Sequence, residues 1–125
     1  MIISTGIDIV EVYRIAQTMT RTPRFTERVF TPAEREYCDA KGAAAAQSYA
    51  GRFAAKEAFL KAIKTGWRGK ITWHDIEISN DEDGVPSLNV NGEAAKILAD
   101  RGAGVAHLSI SHTTEHAVAH VILES

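Results

Sequence analysis

Two carboxylates lie where the sequence predicts largely apolar surroundings. Asp8 interrupts the apolar run from Gly6 to Val10, and Glu57 lies at the edge of the apolar stripe of a predicted long helix. A buried carboxylate is costly unless a cation or several hydrogen-bond donors satisfy it. A salt bridge or a backbone hydrogen bond would explain Asp8 alone, and a solvated i,i+4 pair with Lys61 would explain Glu57 alone. Together, one on a strand and one on a packed helix, they could share a Mg²⁺ ion with waters and substrate phosphates.

Positive charge accompanies these acids on the same helix. The basic residues are Arg52, Lys56, Lys61 and Lys64. A metal ion together with Lys and Arg is what a phosphate-bearing substrate requires. A solvated helix face would carry the same residue types, so this charge supports a phosphate site without establishing one. The common phosphate loops are absent, since residues 66–70 are too few for a Walker loop and no G-x-G-x-x-G follows a strand.

The C-terminal histidines allow a second interpretation. The segment from His112 to His116, with Glu115, matches the H-x-x-E-H pattern of inverted zinc proteases, and His120 extends the spacing. On a helix these side chains would share a face and could bind zinc. The flanking residues favour strands, and a strand-turn-strand would separate the histidines. We therefore predict ordinary strand or turn roles for His107, His116 and His120. For His112, which ends a strand, we predict a ligand contact.

Four arginines form a local basic patch early in the chain. Arg14, Arg21, Arg24 and Arg28 lie between Tyr13 and Val29, where Glu27 is the one acidic residue. Such a patch could steer an acidic partner towards the protein. Surface solubilisation is the alternative explanation.

Composition limits the class of protein. The chain has 125 residues, 45% hydrophobic and 24% charged, which predicts one globular domain over residues 1–125. A net charge of −2 does not favour nonspecific nucleic-acid binding. The single cysteine, Cys38, cannot form an internal disulfide and is predicted to be a small buried or half-buried side chain. With no basic leader and no apolar stretch near the ~20 residues of a membrane helix, we expect a cytoplasmic protein without membrane contact.

Hydrophobic periodicity predicts the elements that must position these residues. Thr31-Pro32-Ala33-Glu34 is typical of a helix start, with Thr as N-cap, Pro at the first helical position and Glu at the third. The order strand, helices, two strands, helix, two strands predicts an α+β fold with helices packed on a mostly antiparallel sheet. The predicted strands are 2–10, 74–79, 85–90, 105–112 and 116–123, and the predicted helices are 11–20, 32 to about 42, 43–64 ending at Gly66, and 93–101.

Three blocks in this order resemble the holo-acyl-carrier-protein synthase family, the small phosphopantetheinyl transferases of fatty-acid synthesis. The blocks are 6–10 (GIDIV), 52–58 (RFAAKEA) with Lys61-Ala62, and 109–113 (SISHT). Segments 73–78 and 84–86 also fit. Where the family usually has Gly-Thr-Gly after the long helix, this chain has Lys64-Thr65-Gly66, and Lys64 could itself meet a phosphate.

The resemblance implies a fold, a reaction and a partner. The fold would be the 4′-phosphopantetheinyl transferase fold, forming a homotrimer with sites shared between subunits. The enzyme would move 4′-phosphopantetheine from coenzyme A (CoA) to a serine of apo acyl carrier protein. Adenosine 3′,5′-bisphosphate would be released, and the carrier would become active for fatty-acid biosynthesis. The acidic carrier protein would dock on the patch formed by Arg14, Arg21, Arg24 and Arg28.

The resemblance also implies roles for single residues. Asp8 and Glu57 would hold Mg²⁺ against the CoA diphosphate, and Lys61 would stabilise, and could protonate, the leaving phosphate. Glu57 or a water bound to the metal would take the proton of the serine. The implied CoA-binding residues are Arg52, Lys64, Gly84, Pro86, Ser111, His112 and Thr113.

Two alternatives belong to other classes of protein. A zinc hydrolase built on His112, Glu115 and His116 would contain near-stoichiometric zinc. A non-catalytic module would bind CoA or the carrier and leave CoA unconsumed. The set of Asp8, Glu57 and Lys61 favours the transferase, because a pure binder has no need for a metal placed on the diphosphate.

Overall fold

Helices and strands follow one another along the chain in the predicted order. The structure, a computed structural model, describes residues 1–64 and 70–125. The strands within these ranges are β1 (Ile2–Glu11), β2 (Ile76–Asn80), β3 (Pro86–Val90), β4 (Val105–His112) and β5 (His116–Glu124). The α-helices are α1 (Val12–Arg21), α2 (Phe25–Val29), α3 (Pro32–Asp39), α4 (Ala45–Ile63) and α5 (Gly92–Asp100). Two short 3-10 segments are Gly42–Ala44 and Trp73–Asp75.

All predicted helices and strands are present, with boundaries within three residues, and three details differ. The short helix α2 was not predicted, because five residues are too few to show a helical period. His74 and Asp75 belong to a 3-10 turn in which Asp75 forms a capping box with Thr72, so the strand predicted from His74 begins only at Ile76. Helix α4 ends at Ile63, with Lys64 in the left-handed conformation (φ 62°). The predicted end at Gly66 and the loop 66–70 fall largely on 65–69, outside the described residues.

Strand pairing divides the strands between two antiparallel sheets. β5 lies between β1 and β4 in one sheet, and β2 pairs with β3 in the other. The α+β class is confirmed, but the prediction of one sheet is wrong. Alternation of polar and apolar residues identifies strands without naming their partners, and the β2–β3 hairpin closes locally through the turn 81–85.

Helix α4 is the centre of the core. The recurrence of Tyr49, Phe53, Leu60 and Ile63 along the sequence predicts one apolar stripe on this helix. Tyr49, Leu60 and Ile63 are buried and Phe53 is half-buried, but burial is not restricted to that stripe. The helix packs against β1, β5, α1 and α3, so most of its circumference is covered. Small side chains make this close packing possible, and those of Ala50, Ala54, Ala55, Ala58 and Ala62 are all buried. Cys38 of α3 is buried beside Ser48, as predicted. Over the described ranges, no helix is long and apolar enough to cross a membrane.

Gly6 allows β1 to lie directly against the backbone of α4. A Cβ atom at Gly6 would overlap the carbonyl oxygen of Ala58 and lie 2.7 Å from the nitrogen of Ala62. Ser4, on the same face of β1, donates a hydrogen bond to the Ala62 carbonyl (2.6 Å). Since Asp8 follows on that face, this contact sets how close Asp8 comes to α4.

Replacing Gly6 with alanine is expected to lower the free energy of unfolding by about 2–3 kcal/mol, because backbone atoms cannot move aside as a flexible side chain would. Urea denaturation would measure the loss. Gly104→Ala is the matched control, since the nearest atom to its added Cβ is 3.7 Å away, an ordinary contact. Equal stability of the two variants would show that β1 can shift at little cost.

Candidate active site

Asp8 and Lys61 form the ion pair at the centre of the candidate site. Asp8 lies on the inner face of β1, opposite Ala119 of β5, and its side chain is 15% exposed. Lys61 of α4 donates from Nζ to Asp8 Oδ1 (2.8 Å) and to the carbonyl oxygen of Ile7 (3.0 Å). The helical pair considered for Glu57 and Lys61 is therefore not the ion pair that forms; Lys61 pairs with Asp8 across the β1–α4 contact.

Glu57 lies one turn before Lys61 on α4, and the negative charge of Asp8 affects its pKa. Burial raises the pKa of the Glu57 carboxyl above its ordinary value, the Asp8 carboxylate raises it further, and Lys61 lowers it in part. Two carboxylates thus lie near one ammonium group, which pairs with Asp8 and lowers the pKa of Glu57 only through its charge. This donor set fits Mg²⁺, which typically takes one or two carboxylates and leaves positions for waters and phosphates. Within residues 1–64 and 70–125, no group of three or more His, Cys, Asp and Glu side chains could hold a metal ion.

The raised pKa of Glu57 predicts a stability gain on removing its charge. A carboxyl group whose pKa is higher in the folded than in the unfolded protein stabilises the fold while protonated, and this is lost as the pH rises through the folded-state pKa. Glu57→Gln is therefore expected to raise Tm at pH 7 in EDTA, with the gain disappearing below about pH 4. Calorimetry of both proteins across this range would measure it. A lower Tm at pH 7, or a gain independent of pH, would contradict the prediction.

A cationic cleft of about 250 Å³ lies between α3, α4, the β2–β3 turn and the end of β4. Arg52 is 4% exposed, and its Nη2 donates to Asn80 Oδ1 (2.6 Å). Its guanidinium lies 4.1 Å from the centre of the Tyr37 ring, over which Lys41 also lies. The Nε of Arg52 is buried without a hydrogen-bond partner among the described residues. No carboxylate is among the described residues lining the cleft, so it suits an anionic ligand.

The structure brings four of the seven predicted CoA-binding residues to this cleft, namely Arg52, Gly84, Pro86 and His112. His112 Nδ1 lies 3.1 Å from Gln47 Oε1, which orients the ring. The other three, Lys64, Ser111 and Thr113, are elsewhere. Lys64 is exposed at the end of α4, Ser111 faces away from the cleft side of β4, and Thr113 Oγ1 accepts from the nitrogens of Glu115 and His116 in the β4–β5 turn.

Several residues of the cleft are not singled out by the sequence, and three of them lie around the Arg52 side chain: Tyr37, Lys41 and Asn80. Asn80 also donates to the Gly84 carbonyl (2.9 Å), which ties the turn to Arg52. The signal available for Asn80 was its place at the end of a strand, four residues before Gly84. Tyr37 and Lys41 gave no signal, because their approach to Arg52 depends on how α3 packs on α4.

An apolar groove of about 520 Å³ is lined by residues of β1, α1, α2, α4 and β5. Its lining residues include Ile9, Ile15, Phe25 and Phe53. Ile9 directly follows Asp8 on β1, and Phe53 lies one turn before Glu57 on α4.

The four arginines of the basic patch are all exposed, and they differ in position. Arg14 lines the apolar groove and its Nε lies 3.1 Å from Glu11 Oε1. Arg21 ends α1, Arg24 precedes α2 and Arg28 lies within α2. The patch therefore borders the groove through Arg14 and continues over α1 and α2.

The H-x-x-E-H segment forms a strand, a turn and a strand, as predicted. His112 ends β4, His116 begins β5, and Glu115 lies in the turn, where its carbonyl accepts from the Val12 nitrogen (2.9 Å). His107 pairs with Glu124 (2.9 Å). The helical face needed by the zinc interpretation does not form.

Comparison with known proteins identifies the family. A sequence model of the 4′-phosphopantetheinyl transferase superfamily matches residues 4–120. The chain belongs to this superfamily.

Relatives narrow the assignment to the holo-acyl-carrier-protein synthases. The chain is 54% identical to the protein of that name from Koribacter versatilis, over 99% of both chains. The synthase from Bacillus anthracis, solved in complex with CoA (3′,5′-ADP), is 42% identical with a TM-score of 0.82 over 100% of this chain and 98% of that one. The Neisseria meningitidis synthase is 35% identical with a TM-score of 0.88 over the whole of both chains. The predicted family and its class of enzyme, phosphopantetheinyl transferase, are confirmed.

Proposed function

We propose that this chain transfers 4′-phosphopantetheine from CoA to a serine of apo acyl carrier protein in a Mg²⁺-dependent reaction. Adenosine 3′,5′-bisphosphate is the second product, and the carrier becomes active for fatty-acid synthesis. The observation that carries the proposal is the Asp8–Glu57–Lys61 group, in which Glu57 and Lys61 lie on α4 together with Arg52 of the cleft, and Asp8 lies on β1. The names of the relatives and the CoA bound to the Bacillus anthracis synthase support the substrate pair.

The carboxylates and Lys61 are assigned to the reacting diphosphate. Asp8 and Glu57 would hold Mg²⁺, which when bound neutralises charge on the diphosphate. Lys61, whose side chain is half exposed, can reach a phosphate oxygen beside Asp8 and stabilise the leaving group. Glu57, or a water held beside it, would accept the serine proton.

The Arg52 cleft is assigned to the adenosine bisphosphate end of CoA. Arg52 and Lys41 supply positive charge, and His112 and Asn80 supply polar contacts. Gly84 and Pro86 form one wall. We propose that Lys64, Ser111 and Thr113 also contact CoA. Of these, Lys64 caps the C-terminus of α4, three residues after Lys61.

The apolar groove and the basic patch are assigned to the carrier protein. Acidic side chains of the carrier would meet Arg14, Arg21, Arg24 and Arg28, and apolar ones would enter the groove. A carrier bound there would present its serine towards Asp8 and Glu57, since Ile9 follows Asp8 on β1 and Phe53 lies one turn before Glu57 on α4.

The outer face of the three-stranded sheet supports a homotrimer with shared sites. Ile7 and Ile9 of β1 are 58% and 66% exposed on this face, opposite His120 and Val118 of β5. A neighbouring copy would bury Ile7, and Ile9, which also lines the groove, would lie where that copy and the carrier meet. Ser111 lies on the same face, so a trimer could bring it to a neighbour's CoA.

We propose one transferase domain over residues 1–125. We also propose that it works in the cytoplasm, a reducing compartment in which a single free cysteine stays reduced.

The test is the intact mass of an apo acyl carrier protein after incubation with this protein, CoA and Mg²⁺. A gain of one phosphopantetheine group that EDTA blocks is the expected result. A carrier of unchanged mass, for several carriers and with the protein shown to be folded, would contradict the proposal.

Replacing Arg52 with glutamine is expected to raise the KM for CoA on the order of 10- to 100-fold, because the charge facing the phosphates is lost while a donor for Asn80 remains. Steady-state kinetics with each substrate varied in turn would measure it. Arg101→Gln, an exposed change at the end of α5, is the control. A rise in the KM for the carrier instead would assign Arg52 to the wrong substrate.

A further inference from the structure

Lys61 is held on Asp8 while most of its side chain lies in solvent. Its ammonium has two acceptors, Asp8 Oδ1 at 2.8 Å and the Ile7 carbonyl at 3.0 Å. The lysine side chain is 55% exposed, whereas that of Asp8 is 15% exposed. The ammonium therefore caps a largely covered carboxylate from outside, and the flexible stem leaves it free to move to another acceptor.

The position that Lys61 takes is one that a divalent ion would also need. Asp8 and Glu57 carry two negative charges when ionised, and one ammonium compensates only half of that charge. Even with Lys61 present, the Asp8 carboxylate raises the pKa of the Glu57 carboxyl. A divalent ion on Asp8 would compensate the pair fully, but it would repel an ammonium 2.8 Å from the same carboxylate oxygen.

We infer that Lys61 occupies the cation position on Asp8 in the metal-free protein and leaves it for a substrate phosphate when metal and CoA bind. This rests on the proposed function, which assigns the metal to Asp8 and Glu57. Lys61 is then a built-in competitor of the metal as well as a phosphate ligand. By linkage, CoA that draws Lys61 away strengthens metal binding, and the metal strengthens CoA binding by the same factor.

The test measures Mn²⁺ binding by the electron paramagnetic resonance signal of free Mn²⁺, with and without CoA. Lys61→Met keeps the length and apolar stem of the side chain and removes its charge. Without CoA, this variant is expected to bind Mn²⁺ roughly five- to tenfold more tightly than the unmodified protein. CoA should then strengthen Mn²⁺ binding more in the unmodified protein than in the variant. A titration of CoA with Mn²⁺ alone corrects for binding by CoA itself.

Two controls separate this inference from the proposed function. Lys96→Met removes the same charge from an exposed pair with Glu93 on α5 and should leave Mn²⁺ affinity unchanged. Asp8→Asn should weaken Mn²⁺ binding strongly. Loss of binding in Asp8→Asn with no gain in Lys61→Met, or an equal effect of CoA on both proteins, would overturn the inference alone. Unchanged affinity in Asp8→Asn would overturn the metal assignment and the inference with it. Lys61→Gln repeats the measurement if the methionine variant misfolds.

Discussion

Asp8→Asn is expected to lower the rate of phosphopantetheine transfer by on the order of 10²- to 10³-fold while leaving the fold intact. Asparagine has nearly the same shape, and its amide oxygen can still accept the hydrogen bond that Lys61 now donates to Asp8. What is lost is the negative charge of a carboxylate that is only 15% exposed. Binding of the proposed metal to Asp8 depends on that charge, and so does the competition between the metal and Lys61 for Asp8.

The measurement is single-turnover transfer at saturating CoA and carrier, with circular dichroism to verify folding. Asp100→Asn makes the same chemical change at an exposed position at the end of α5 and should retain full activity. If Asp8→Asn kept half of the activity or more, the metal could not depend on Asp8. If it lost activity together with secondary structure, Asp8→Glu would be the variant to compare.

How much of this site the sequence predicts depends on whether a residue acts through local or distant contacts. Asp8 is conspicuous because it interrupts a local apolar run, and Glu57 lies at the edge of an apolar stripe, so the sequence offers both as candidates. Lys61 is a candidate as well, but it pairs with Asp8 rather than with its helical neighbour Glu57, because the β1–α4 contact joins residues 53 positions apart. Tyr37 and Lys41 were missed for the same reason.

The same distinction explains the fold. The Thr31 cap and the strand alternation are local, and both the capping box and all predicted strands are present. Assigning those strands to two sheets requires knowing how each strand packs against α4, which contacts strands of both sheets. Its burial on several sides was not predicted, because alanines fit a one-sided stripe and a fully covered helix equally well.

The most unusual feature of the core is a pair of charges with no exposure at all. Lys56 of α4 and Glu34 of α3 are both fully buried, with Nζ 2.7 Å from Oε1. Lys56 also donates to the Trp73 carbonyl (3.1 Å), and Glu34 accepts from the nitrogens of Thr31 and Ile78 (2.9 Å each). Burial lowers the pKa of Lys56, and the charge of Glu34 offsets part of that shift. The pair joins α3, α4, the 73–75 turn and β2, and so sets the position of the strand that ends in Asn80 relative to Arg52.

Lys56→Met is therefore expected to lower the free energy of unfolding by about 3–5 kcal/mol, since it leaves the Glu34 charge buried and unpaired. In the double variant Glu34→Gln/Lys56→Met no buried charge remains, and one acceptor is kept for the backbone donors, so at least half of the loss should be recovered. Urea denaturation of both proteins would measure this, with Lys96→Met expected to change stability by less than about 1 kcal/mol. If the double variant were as unstable as the sum of the single changes, the hydrogen bonds rather than the charges would hold α3, α4 and β2 together. If it recovered its stability but lost CoA affinity, the charged pair would be needed to align Asn80 with Arg52.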